Sequence, residues 1–190
     1  MSPQRSNRSS LVEGTLRCLE RLPLERVTAR AIAEESGANL ASIAYHFGSK
    51  DELVTEAVIL GLDRWLEEID AGLGGVTAGE PAVRFQRAWE VVEAGGRRHA
   101  GLVRNFVAAL AKAQHDPRVR EMLAAGFARS RPRVAAVVGL RDDQPGIDAA
   151  GLVHALFYGL LLQGMLDPEL AIEGDRMRRA QSRLRGLLPD

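Results

Sequence analysis

The chain has 190 residues, 46% of them hydrophobic, and its 25 basic and 25 acidic side chains leave no formal net charge at pH 7. This is enough apolar material for a buried core, and it excludes a generally basic nucleic-acid binder: any affinity for phosphate must come from a local arrangement of charge. Cys18 is the single cysteine, which excludes an intramolecular disulfide and a multi-cysteine zinc site and suits a reducing, cytoplasmic setting.

The opening MSPQRSNRSS is polar and basic, without the apolar run of a secretion signal, and reads as a flexible arm over residues 1–9. Ser9 or Ser10 can cap a first helix, with Leu11, Leu16 and Leu19 at helical spacing, that Pro23 stops. Thr28 is a good N-cap for a second helix ending at Gly37, where the left-handed conformation favours glycine. A third, short helix is expected from about Asn39 to Phe47, with Asn39 as its cap, before Gly48 and Ser49 break and recap the chain. From Ser49 the pattern stays helical. A long helix carries Leu53, Ala57, Leu60, Trp65 and Leu66 and fades at AGLGGVTAGEP. Helices follow from about Pro81 to Ala94, from about Arg98 to Ala113, and from Pro117 to about Leu140, the last with Pro132 expected to kink it. After RDDQPG comes an uncharged stretch from Ala149 to Leu166, read as a buried helix and not as a membrane span because of His154, Gln163 and three glycines. A final amphipathic helix carries Met177, Leu184 and Leu187. No alternating strand pattern appears, so the expected fold class is all-α.

Two short helices joined at a glycine have the layout of a helix-turn-helix, whose second helix enters the major groove; a plain helical hairpin in a core has the same outline. The third helix adds Ser42, Tyr45, His46 and Lys50, all able to donate to phosphate, while Ile43 and Phe47 lie one turn apart on an apolar face. Periodicity groups Leu40 with that apolar face. Arg5 and Arg8 of the arm are ordinary tail charge or minor-groove contacts. From Met1 to Lys50 there are seven basic residues against five acidic, an excess small enough that two copies of the head would help.

VTARAIAEESGANLASIAYHFGSKDEL resembles the DNA-binding segment of the TetR family of bacterial transcriptional regulators, most specifically in YHFGSKDEL. The resemblance implies an N-terminal three-helix head over residues 10–48 and a C-terminal helical ligand-binding and dimerisation bundle over 49–190. It implies phosphate contacts from Thr28, Tyr45, His46 and Lys50, with Asn39 beside them, and base-edge contacts from Arg30, Leu40, Ala41 and Ser42. It therefore turns Leu40 outward, against the periodicity. Ala44 departs from the large residue many members carry there, which puts direct contact at that position in doubt.

Gly151, Ala155 and Gly159 form a small-residue stripe beside a ridge of Leu152, Leu156 and Leu160, a pattern that a partner helix and an internal core helix satisfy equally. The family resemblance implies that this stretch and the helix of Met177, Gln181 and Leu184 form a homodimer interface. It also implies a small-molecule pocket, for which Trp65, Phe85, Trp89, Phe106, Met122 and Phe127 are the bulky apolar candidates, although each taken singly is more readily a core residue. His99, His115 and His154 lack metal-ligand spacing, so neither a metal nor a cofactor is expected. The expected function is a cytoplasmic, dimeric, ligand-responsive repressor that binds a palindromic double-stranded DNA operator and is released by its effector. The alternative is a helical interaction protein that no longer binds DNA; an enzyme lacks a paired nucleophile and base or a cofactor loop.

Overall fold

The computed structural model describes residues 7–73 and 81–184, and among them every regular element is helical. The elements are α1 (Asn7–Arg21), a 3-10 turn (Leu24–Arg26), α2 (Ala29–Ser36), α3 (Ala41–Phe47), α4 (Lys50–Gly72), α5 (Pro81–Lys112), α6 (Pro117–Val138), α7 (Gln144–Leu166), a second 3-10 turn (Pro168–Leu170) and α8 (Gly174–Leu184). Arg5, the centre of the AGLGGVTAGEP loop and Leu187 lie outside the described residues.

Three expectations change. Helix α1 begins at Asn7, so Arg8, Ser9 and Ser10 are helical and not part of an arm; Arg8 is held by an ion pair to Glu56 at 2.7 Å and by its guanidinium over the Phe47 ring at 5.0 Å. The two helices expected on either side of Gly95 and Gly96 are one 32-residue helix, α5. Each glycine costs only about 1 kcal/mol of helix propensity, and Val92, Leu102, Val103 and Phe106, buried on either side, outweigh it. Helix α6 runs through Pro132 as one helix, as expected. The third change concerns α7, expected to be buried: Leu152 is 75% and Leu166 83% exposed, with Leu156 and Met165 also open, and only Gly146, Ala150 and Leu160 buried. By length and composition alone α7 could cross a membrane.

The chain divides into two compact units, Met1–Trp65 with Arg98–Arg129, and Leu66–Arg97 with Ser130–Asp190. The first has a core built from Leu11, Leu19, Val27, Ile32, Leu53, Val58 and Val119, all about fully buried. Its helices approach closely at Gly14 and Gly101, against backbone in each case. A Cβ on Gly14 would lie 2.7 Å from the Ser36 Cβ, so α1 and α2 cross at a distance only glycine allows. A Cβ on Gly101 would lie 2.6 Å from the Leu19 carbonyl oxygen. That oxygen has lost its helical donor because the residue four places on is Pro23, which has no N–H; Asn105 Nδ2 supplies one at 3.3 Å. Residues of α5 thus finish the hydrogen bonding of α1.

In the second unit, Val134, Ala135 and Ala150 pack together with Leu66, Leu140 and Val153. Phe157 meets Phe85 and Trp89 edge-on, at centroid distances of 5.3 and 5.1 Å, and the Trp89 indole donates to the Ile172 carbonyl at 3.2 Å.

Candidate nucleic-acid interface

Local chemistry defines α2 and α3. Thr28 has an extended backbone, and its Oγ1 accepts the Ala31 N–H at 3.1 Å, a side-chain N-cap. At the other end Gly37 is left-handed at φ 66°, the Ala38 N–H reaches the Ala33 carbonyl at 3.2 Å, and the Gly37 N–H reaches Glu34 at 3.3 Å. These are the two bonds of a Schellman ending, and they turn the chain at once towards α3. Asn39 Oδ1 then accepts the Ala41 N–H at 2.9 Å, so Asn39 caps α3 although the helix proper starts two residues later. Gly48, at φ 83°, closes α3, and Ser49 opens α4 by accepting the Glu52 N–H at 3.1 Å while its hydroxyl pairs with Glu52 Oε1 at 3.2 Å.

The faces of α3 separate cleanly. Ile43 and Phe47 are 4% and 6% exposed, whereas Tyr45 is 85% and Leu40 52% exposed. Leu40 therefore lies on the outer face with Ala41, Ala44 and Tyr45, as the family resemblance implied and the periodicity did not. Its place just before the helix explains this: the turn redirects it, so the 3.6-residue period does not reach back to it. Ser42 and His46 are half-buried, and the His46 ring stands edge-on to Tyr45 with centroids 4.8 Å apart. Thr28, Arg30 and Asn39 are exposed. The Thr28 hydroxyl keeps its hydrogen to donate while capping α2, and Asn39 keeps its amide hydrogens.

Fewer basic groups face outward than the sequence count implies. Arg17 pairs with Glu35 at 2.7 Å and donates to its carbonyl at 2.9 Å, and Arg21 pairs with the same carboxylate. Hydrogen bonding from Arg17, against some burial and with help from Arg21, holds the Glu35 carboxyl below its ordinary pKa. Arg8 is committed to Glu56. Lys50, expected on phosphate, donates to the Val27 carbonyl at 3.3 Å and lies 3.2 Å from Asp51. Cys18 is buried, and burial followed by the Glu35 charge raises its thiol pKa, so it is an unreactive core group.

The arrangement is a short capped helix with a polar, hydroxyl-bearing outer face, supported by a second helix with Thr28 and Arg30 at its start. Residues 11–57 match the family described as bacterial regulatory proteins, tetR family. This segment is a TetR-family domain. Around it the chain has the fold of TetR-type regulators. Salmonella enterica GusR superimposes with a TM-score of 0.66 at 22% identity, covering 99% of this chain and 97% of that one. A TetR transcriptional regulator from Rhodococcus sp. RHA1 gives 0.64 at 17% identity, covering 95% and 96%. The multidrug binding protein EbrR, complexed with imidazole, gives 0.58 at 23% identity, covering 100% and 97%. No curated protein sequence matches the chain.

The expected pocket residues divide between the units. Trp65, stacked on His99 at 4.6 Å, Phe106, edge-on to Phe127 at 5.9 Å, and Met122 belong to the first; Phe85 and Trp89 belong to the second. Sequence reasoning missed Phe157, which joins Phe85 and Trp89, because it sits inside the uncharged run and was absorbed into the reading of that helix. It also missed Glu93, whose carboxyl is pushed above the usual range by burial and by Glu173. Of the expected dimer residues, Leu152, Ala155, Leu156 and Leu184 are exposed, Gly151, Gly159 and Gln181 are half-buried, and Leu160 and Met177 are buried within their own unit. A spacing of four residues drifts by about 40° per step on a helix, so the ridge that starts outward at Leu152 has turned inward by Leu160. The small-residue stripe divides too: Arg131 lies over Gly151, while nothing comes within 4 Å of a Cβ on Gly159.

Proposed function

We propose that the protein is a cytoplasmic, dimeric transcription regulator that binds a palindromic DNA operator through α2 and α3 and is released by a small molecule. The observation that carries the DNA-binding part is the outer face of α3, where Tyr45 and Leu40 stand exposed over a helix fixed from beneath by Ile43 and Phe47. Thr28, Asn39, Tyr45, His46 and Lys50 take phosphates. Arg30, Leu40, Ala41 and Ser42 read base edges, with Arg30 suited to guanine and Leu40 to a thymine methyl.

The uncovered apolar face of α7 favours a second copy: Leu152, Ala155 and Leu156 cross their counterparts, with Gln181 and Leu184 of α8 beside them. Two-fold symmetry then sets the reading helices about 34 Å apart, one turn of DNA. Because Arg8 is committed to Glu56 of α4 and Arg17 and Arg21 to Glu35 within the head, one copy offers phosphate few cations, and doubling matters more than the sequence count suggests.

The effector lies among the aromatic side chains of the C-terminal helices, and the reading as a repressor rests on release: the effector shifts α4, moves the heads and weakens operator binding. Effector and operator then weaken each other by the same factor.

The test is fluorescence anisotropy with DNA from immediately upstream of the gene, at two salt concentrations, with Tyr45→Ala as control. Saturable binding that weakens with salt and is lost in the variant supports the proposal. Absence of binding at low salt, both to that DNA and to a random-sequence duplex pool, overturns it in favour of a helical interaction protein.

A further inference from the structure

Three consecutive charged residues open α4, and distant parts of the first unit hold each of them. Glu52 pairs with Arg118, in the first turn of α6, at 2.7 Å. Asp51 accepts a hydrogen bond from Lys112, the last residue of α5, and its other oxygen lies 3.2 Å from Lys50 Nζ. Lys50 Nζ in turn donates at 3.3 Å to the carbonyl of Val27, the residue before the cap of α2. A continuous polar chain thus runs from the end of α5, through Asp51 and Lys50, to the start of the helix that carries Arg30.

Lys50 has three N–H donors and uses them here on one carbonyl and one carboxylate. Its side chain is a third exposed, so a donor remains for an external anion. How much of its charge that anion meets depends on Asp51. Burial works against the Asp51 charge, but the bond from Lys112 and the Lys50 charge outweigh it and hold the carboxyl below its ordinary pKa, so the group stays ionised. One carboxylate is therefore shared by two ammonium groups. Without Lys112 the whole carboxylate falls to Lys50, draws Nζ toward itself and cancels the charge that a phosphate would meet.

We infer that Lys112 is a positioning residue for DNA binding: by sharing Asp51 it keeps Lys50 available to a backbone phosphate. The inference rests on the DNA-binding reading above and adds a residue outside the helix-turn-helix to it. Lys112 acts through Asp51 and not by touching DNA, which separates it from an additional basic contact.

The test is a double-mutant cycle on the full chain, with wild type, Lys112→Met, Asp51→Asn and the double variant titrated against one duplex selected by the wild type from a random pool. Lys112→Met is expected to weaken binding about two- to fivefold and to reduce the salt slope by about one unit per head. Lys112→Arg restores both. In the Asp51→Asn background, Lys112→Met is expected to change nothing. Equal losses in the two backgrounds, or no loss in the first, overturn the inference while leaving DNA binding intact. A wild type that binds no duplex at low salt removes both. Melting curves exclude misfolding, and Lys112→Gln replaces Lys112→Met if the latter does not fold.

Discussion

Helices α3 and α7 both leave a face uncovered, and the two faces differ in kind. The seven residues of α3 show a phenol, hydroxyls and small side chains, with Leu40 at the edge, whereas the twenty-three of α7 show Leu152, Leu156, Met165 and Leu166. Water satisfies the first face at little cost. The second exposes the large apolar side chains Leu152 and Leu156 one turn apart, which calls for an apolar cover. The contrast matches the two partners of the proposed function: a hydrated, charged one for the first face and an apolar one for the second. It also separates two ways of being exposed, since Tyr45 rests on a tightly packed helix while Leu152 belongs to a helix with little burial of its own.

Four measurements break or sharpen this comparison. The largest effect is expected within α3. Phe47→Ala empties a buried site and is expected to cost about 3–5 kcal/mol in denaturant unfolding, whereas Tyr45→Ala changes stability by less than ~0.5 kcal/mol and removes DNA binding. If Tyr45→Ala is equally destabilising, the two faces of α3 are not separable. On α7, Leu152→Glu is expected to weaken self-association by at least ~2 kcal/mol, about thirtyfold in dimer Kd by sedimentation, without loss of helix by circular dichroism. An unchanged sedimentation profile would place the dimer elsewhere.

Two smaller effects probe the supports behind each face. Gly101→Ala drives a Cβ into the Leu19 carbonyl and is expected to lower stability by about 1–3 kcal/mol, while Gly96→Ala on the same helix, with open space around it, raises it by up to ~1 kcal/mol. In the second unit, burial first and then the Arg131 charge push the His154 pKa down to about 4 from an ordinary 6.5. The unfolded chain therefore binds the extra proton between those values. The stability that neutral His154 permits is complete above pH 6.5 and is lost as pH falls towards 4. Allowing for partial solvent screening, the loss at pH 5 is about 1 kcal/mol, and His154→Gln should flatten that part of the pH–melting profile.

The reading head was largely legible because its signals are local. Thr28 meets Ala31 three residues away, Asn39 meets Ala41, Ser49 meets Glu52, and Gly37 and Gly48 take positive φ where the chain must turn. For the placement of side chains in the head, family resemblance corrected the periodicity at Leu40, where a turn interrupts the period; the assignment of DNA contacts rests on the resemblance throughout. Legibility failed where the same residue type serves two ends. Gly95 and Gly96 read as a break because glycine is costly in a helix, yet the apolar positions on either side made one helix of α5. The uncharged run read as core because apolar residues are usually inside, yet Leu152 and Leu166 stand exposed on α7.

Hydrogen bonds within four residues and a period of 3.6 are properties of the chain itself, so the amino-acid order alone determined the caps and the all-helical class, and the motif YHFGSKDEL carried the family resemblance of the head. Packing decided which apolar face was covered and which cations remained for a partner. Lys50 meets Val27 across 23 residues and Asp51 meets Lys112 across 61, and nothing near any of the four in sequence announces the encounter. Side-chain charges become available or committed only when distant backbone segments arrive beside them, which is why the tertiary structure alone could show that Lys50 is held and that Leu160 turns inward.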